Sequence, residues 1–352
     1  MRGHGEAVAP FSLGVLDARM AEAKPSKIVY LFGAGATHAE LQNIEPDLRE
    51  KGYGLLVSDV SSRVIARARR DPLYLKDVRT ISGTKGSLNI ELLISLIENS
   101  KIHDWEYKTR RLRTLVQEDI EEILTASRTR RFHLHKALLE LHEHAATQER
   151  EKLTGLISLN YDDVLDAAYR QYYGAERYCF SLESDPAAAR GIPLLKLHGS
   201  FNWTNKTIRG RKRTIEIIPL GSTKSYMHPP YVCIWNQALE TLIGCDALRV
   251  IGCSLSQNDV HLIDLLFKAH LERGAAFKME IIAKENVGAG IRHNYGFFPA
   301  LKTLTEIPDS LVPEPEPENP FKTWLKYKGL KMLGKAKVGR TRYLKRVIEV
   351  GG

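Results

Sequence analysis

Four short apolar runs in this chain each stop on a small or polar signature, and that pairing constrains the fold more than any other feature. Lys27-Ile-Val-Tyr-Leu-Phe32 stops at Gly33-Ala34-Gly35, and Leu153-Thr-Gly-Leu-Ile-Ser-Leu159 stops at Asn160-Tyr-Asp-Asp163. Pro193-Leu-Leu-Lys-Leu197 stops at His198-Gly199, and Ala247-Leu-Arg-Val-Ile251 at Gly252-Cys-Ser254. Such runs read as strands buried on both faces, and residues 276–283 add a fifth candidate. Helical patterns lie between them. Asp162 or Asp163 can cap a helix through about Tyr173, and Asn258 or Asp259 can cap one carrying Leu262, Ile263, Leu266 and Ala269. Buried strands alternating with helices predict an α/β chain with a doubly wound, mostly parallel sheet. Ligands bind such sheets outside the carboxyl ends of the strands, where every one of these signatures falls.

The interval from about 38 to 150 breaks the alternation. It is charged, carries helix-like stretches such as 89–100 and 111–127, and predicts a helical insertion. Pro308, Pro313, Pro315, Pro317 and Pro320, interleaved with Glu314, Glu316 and Glu318, predict an extended linker over 308–320. The expected organisation is therefore an N-terminal segment (1–26), a body (27–307), the linker, and a tail (321–352).

The chain's net charge of +9 belongs to that tail. From 321 to 352 there are ten Lys or Arg against the single acid Glu349, so the remaining 41 basic and 41 acidic residues balance. A basic tail could attract nucleic acid or an acidic partner, or be a solvated arm. No apolar stretch is long enough for a transmembrane helix, and the N-terminus lacks the apolar core of a secretory leader. Cys179, Cys233, Cys245 and Cys253 form no C-x-x-C pair, which argues against a zinc ribbon or disulfide scaffold and suits a reducing cytoplasm.

Each signature has two readings. Gly33-Ala-Gly-Ala-Thr37 suits close approach of a diphosphate at a helix N-terminus, although His38 stands where the third fingerprint glycine would be; it also suits a plain strand-to-helix turn. Asn160-Tyr-Asp162 is a candidate polar pair or a helix cap. His198 is a candidate base or a structural imidazole. Gly252-Cys-Ser254 with Asp259 suits a ribose or adenine, or a capped turn. His133, His135, His142 and His144 contain no i, i+4 pair, so no metal site is expected. Gly83-Thr-Lys-Gly-Ser87 fails the phosphate-loop spacing.

Together the four signatures, over about residues 27–285, resemble the sirtuin family. Its glycine-rich loop is matched by Gly33-Ala-Gly-Ala-Thr37, its T-Q-N-x-D element by Ser158-Leu-Asn160-Tyr-Asp162, its H-G dipeptide by His198-Gly199, and its G-[TS]-S element by Gly252-Cys-Ser254. The chain departs from the protein-deacylating members in lacking their zinc-binding cysteine pairs and in carrying Leu159 and Tyr161 around the Asn. The N-Y-D form, the helical insert with Asn89-Ile-Glu-Leu-Leu-Ile-Ser-Leu96 and the missing zinc module look like the sirtuin-like NAD hydrolases of bacterial anti-phage defence.

That resemblance implies a Rossmann-like sheet and NAD as substrate, cleaved to nicotinamide and ADP-ribose without zinc. It implies Asp162 on the carboxamide, Asn160 positioning water and the ribose, and His198 on the ribose hydroxyls as a base. It further implies Gly33, Ala34, Gly35 and Thr37 at the diphosphate, with Gly252, Ser254 and Asp259 toward the adenosine. Expected partners are a second copy of the chain or a defence protein, either an ATPase or a nucleic-acid-guided subunit. The alternatives are a protein deacylase or ADP-ribosyltransferase, and a non-catalytic subunit that binds NAD or ADP-ribose.

Overall fold

A computed structural model describes residues 24–44, 53–71, 89–127, 132–147, 150–181, 192–203, 206–208, 211–213, 218, 226–256, 259–296, 301–303 and 319–333. The eight described strands are β1 (Ser26–Phe32), β2 (Glu151–Ser158), β3 (Leu194–Lys196), β4 (Lys206–Ile208), β5 (Arg211–Arg213), β6 (Ala247–Ile251), β7 (Lys278–Ile282) and β8 (Leu301–Thr303). β4 and β5 form a small antiparallel hairpin; the other six form one sheet in the order β3-β2-β1-β6-β7-β8. Every neighbouring pair in that sheet is parallel. Counted within the sheet alone the order is 3-2-1-4-5-6, the Rossmann-like doubly wound arrangement, with its topological switch between β1 and β6.

The described helices are α1 (Ala34–Ile44), α2 (Val57–Ala68), α3 (Ile90–Ser100), α4 (Trp105–Ser127), α5 (Leu134–Thr147), α6 (Val164–Tyr173), α7 (Tyr231–Ile243), α8 (Val260–Arg273), α9 (Glu285–Tyr295) and α10 (Pro320–Leu333). The period-2 alternation of strand side chains divides the core between them. Val29, Leu31, Leu248, Val250, Met279 and Ile281 pack beneath α7, α8 and α9. Ile28, Tyr30, Phe32, Ala247 and Ile251 face the opposite way, under α1, α5, α6 and α10. Both faces are covered, which is why the strands read as continuous apolar runs.

A third apolar cluster holds α2, α3 and α4 together as the helical insertion and seats them on Leu41 of α1 and on Val164 and Ala168 of α6. Inside it, Arg63 of α2 pairs with the buried Asp119 of α4 at 2.8 Å and also donates to Gly54 O. Helix α5, which falls within the expected insertion, instead packs on the sheet through Leu138 and Leu139. The N–H groups at its start, which have no partner within the helix, explain the placement: Glu40 accepts from the backbone of His133, Leu134 and His135 and bonds the His135 ring at 2.7 Å.

Residues 320–333, expected as the end of the linker and the start of the basic tail, form α10. Phe321, Trp324 and Leu325 recur at helical spacing and are buried against the sheet, while Lys328 reaches Glu151 at 2.5 Å. The rest of the expected tail, most of the linker, and the Gly83–Ser87 stretch lie outside the described residues. No described helix is long and apolar enough to cross a membrane.

Candidate functional site

At the switch point the loops after β1 and β6 are pressed together. Gly33 N donates to Ile251 O at 3.0 Å and Gly35 N to Gly252 O at 2.8 Å. A Cβ on Gly33 would lie 2.7 Å from Cys253 Cα, and one on Gly252, where φ is +61°, would lie 2.0 Å from Ala36 N. Glycine is needed here for loop-on-loop packing, whatever the crevice binds.

The loop after β2 ties into the same place. Asn160 Nδ2 donates to Gly33 O and to Thr37 Oγ1, each at 3.0 Å, and the Thr37 hydroxyl in turn donates to Asp162 Oδ2 at 2.9 Å. Gly33 O can only accept, so the amide orientation of Asn160 is fixed. Its Oδ1 has no partner among the described residues and remains available to the cavity. Thr37, expected at the diphosphate, has its single hydroxyl committed inside this chain; it positions its neighbours. Asp162 Oδ1 accepts the Val164 N–H at 3.1 Å, a contact at the start of α6, while the side chain also lines the cavity. Burial raises the Asp162 carboxyl above its ordinary value, while Lys196, the Val164 N–H and the Thr37 hydroxyl oppose that rise.

Lys196 supports the loop from beneath. It is fully buried, donates to the Asp162 backbone oxygen, and pairs with Asp166 at 2.8 Å. Tyr178 donates to the other oxygen of Asp166. Sequence reading missed Lys196 because it lies inside an apolar run.

His198 follows β3. Its Nδ1–H donates to Leu159 O at 3.1 Å, and Nε2 faces Asp259 Oδ2 at 3.2 Å. The ring stacks on Tyr161 at 5.9 Å between centroids, and Tyr161 stacks on Phe201. Both nitrogens thus have partners within the chain. Asp259, expected toward the adenosine, lies against the imidazole, and its Oδ1 also accepts the Leu262 N–H that starts α8.

These groups surround one cavity of about 450 Å³, within the range of small-molecule and cofactor pockets. Gly33, Ala34, Gly35, Asn160, Asp162, His198, Gly252, Ser254 and Asp259 all line it. Cys253 lines it too, but burial pushes its thiol up to about 12, which leaves it unreactive at neutral pH. Two walls were not anticipated. Leu55, Val57, Ile90, Glu91, Val116 and Ile120 bring the helical insertion to the cavity, and Pro320 and Phe321 bring the start of α10. His135 and His142 are held apart by Glu40 and Tyr30 respectively.

No protein-family model matches the sequence, and no curated protein matches it at a significant level. Among solved structures the chain is similar to Sir2 homologues. One bound to ADP-ribose is 14% identical over 89% of this chain and 95% of that one, with a TM-score of 0.34. A Sir2 homologue–NAD complex is 13% identical over 88% and 90%, at 0.34. A mutant bound to 2′-O-acetyl ADP-ribose is 12% identical over 91% and 97%, at 0.38.

Proposed function

We propose that this protein is a NAD glycohydrolase that cleaves NAD to nicotinamide and ADP-ribose. The observation that carries the reading is the convergence of Asn160, Asp162 and His198 on one cavity at the switch point of a doubly wound sheet. In it, Gly33, Ala34 and Gly35 at the start of α1 receive the diphosphate, where helix N–H groups favour an anion. Ser254 and Gly252 lie along the adenosine, and Asp162 binds the carboxamide. Asn160 Oδ1 orients water and the nicotinamide ribose, and His198, held by Leu159 O and Asp259, forms the wall against which that ribose sits. Such placement lowers the barrier by fixing a near-attack geometry. The motif resemblance extends the reading to a NAD-depleting effector of bacterial anti-phage defence, working as a homo-oligomer or beside a companion protein.

Purified full-length protein incubated with NAD, alone and with an acylated peptide, tests the reaction type. Equal amounts of nicotinamide and free ADP-ribose without peptide are expected. Nicotinamide release that requires the acyl-lysine would assign a deacylase instead, and saturable binding with NAD unchanged would assign a regulatory subunit.

A further inference from the structure

The proposed hydrolysis needs a group to accept the proton of the attacking water, and His198 is poorly placed for it because Leu159 O and Asp259 hold both ring nitrogens. The other acids named on the cavity wall are also engaged: Asp162 by Thr37 and Val164, Asp259 by His198 and Leu262. Glu91 differs. It lies on the cavity wall, half-buried, and its carboxylate makes no hydrogen bond or ion pair among the described residues. A first-turn acid is ordinary in a helix, yet four other acids of the insertion are paired with arginines. Asp119 and Glu122 pair with Arg63 and Arg67, and Glu98 and Glu118 with Arg113 and Arg111.

The position of Glu91 is set by its neighbours. Asn89 caps α3 by accepting the Glu91 N–H at 2.8 Å, and Ile90 beside it is buried in the insertion core. The Tyr161 phenol is pushed well above its usual range by burial first and by the Glu91 charge next, and the Tyr161 ring stacks on His198.

Resting on the glycohydrolase reading, we propose that Glu91 is a catalytic residue of that reaction, a carboxylate carried into the cavity by the helical insertion to receive the proton of the attacking water. The water oxygen bonds to C1′ of the nicotinamide ribose. The C1′–N bond breaks with its electron pair passing to the ring nitrogen, so nicotinamide leaves neutral. The water proton passes to Glu91 and then to solvent. NAD⁺ and water give nicotinamide, ADP-ribose and a proton, and no other reagent is required. The negative charge of Glu91 also favours the positive charge that develops on the ribose.

Steady-state kinetics of the full chain with NAD decide it, comparing wild type with Glu91→Gln, Glu91→Asp and Glu91→Ala. Expected are a fall in kcat of roughly 10²-fold or more for Glu91→Gln, the scale of a general base, with little change in KM or melting temperature. Partial retention by Glu91→Asp, and partial rescue of Glu91→Ala by added formate, are also expected and would not follow from a structural role. Wild-type turnover with a Glu91→Gln kcat within about threefold of it, well short of the general-base scale, overturns the Glu91 role alone. A wild-type protein that leaves NAD intact overturns the glycohydrolase reading itself, and the role of Glu91 with it.

Discussion

Asp259 Oδ2 sits 3.2 Å from His198 Nε2, while the other oxygen of the same carboxylate accepts the N–H of Leu262. One side chain therefore caps a helix and braces the imidazole. Asp259→Asn keeps a good cap but removes the charge beside His198. It should leave the melting temperature nearly unchanged and cut NAD turnover by roughly 10²-fold, the cost of a misplaced group. Asp259→Ala should lose the same turnover and, in addition, about 1 kcal/mol of stability. Kinetics paired with thermal unfolding separates the two contributions.

Thr37 is the middle of the Asn160–Thr37–Asp162 relay. Thr37→Val preserves shape but leaves a half-buried amide hydrogen of Asn160 and a buried carboxylate oxygen of Asp162 each short of a partner. A stability loss of about 1–3 kcal/mol is expected, with Thr37→Ser restoring most of it. If Val and Ser variants unfold at the same denaturant concentration, the relay contributes nothing.

Gly252 and Gly174 both have positive φ, but only Gly252 is crowded, since nothing lies within 4 Å of a Cβ built on Gly174. Gly174→Ala should cost only the left-handed backbone penalty of about 1–2 kcal/mol. Gly252→Ala should cost more, because the β1 and β6 loops must also separate. Equal melting temperatures for the two variants would show that the loops are not locked.

Acid stability should be set beneath α10. Tyr30 OH accepts from Arg249 and so donates to His142 Nε2, at 2.7 Å. Burial first, then Arg249 and Lys328, push His142 down from 6.5 to about 3. Glu151 is lowered from 4.5 to about 2: burial opposes the shift, but Arg249 and Lys328 outweigh it. Both folded values lie below the unfolded ones, so both contributions are complete above pH 6.5 and lost on acidification. His142 loses its share between 6.5 and about 3, and Glu151 between 4.5 and about 2. Denaturant unfolding across pH should show stability falling below about 6.5, with the upper part of that slope absent in His142→Gln.

What the sequence disclosed depended on locality. β1, β2, β3 and β6 were legible because each is an apolar run broken by a signature, and both halves lie in one short stretch. The three-residue strands β4, β5 and β8 have too few side chains for a period to show. The α10 helix was obscured by its lysines, although Phe321, Trp324 and Leu325 already trace an apolar stripe. The site was legible as a set of residues and much less as a set of roles. That Asp259 braces His198, that Thr37 faces inward, and that Glu91 enters from the insertion are contacts between segments far apart in the chain, and no local pattern encodes them.

The central claim is tested most directly by the rate of NAD loss from wild type, Asn160→Ala and His198→Ala at matched concentrations spanning any self-association, with all three shown to be folded. The account predicts stoichiometric nicotinamide and ADP-ribose from wild type and loss of nearly all turnover in both variants. Turnover that survives both substitutions would contradict it.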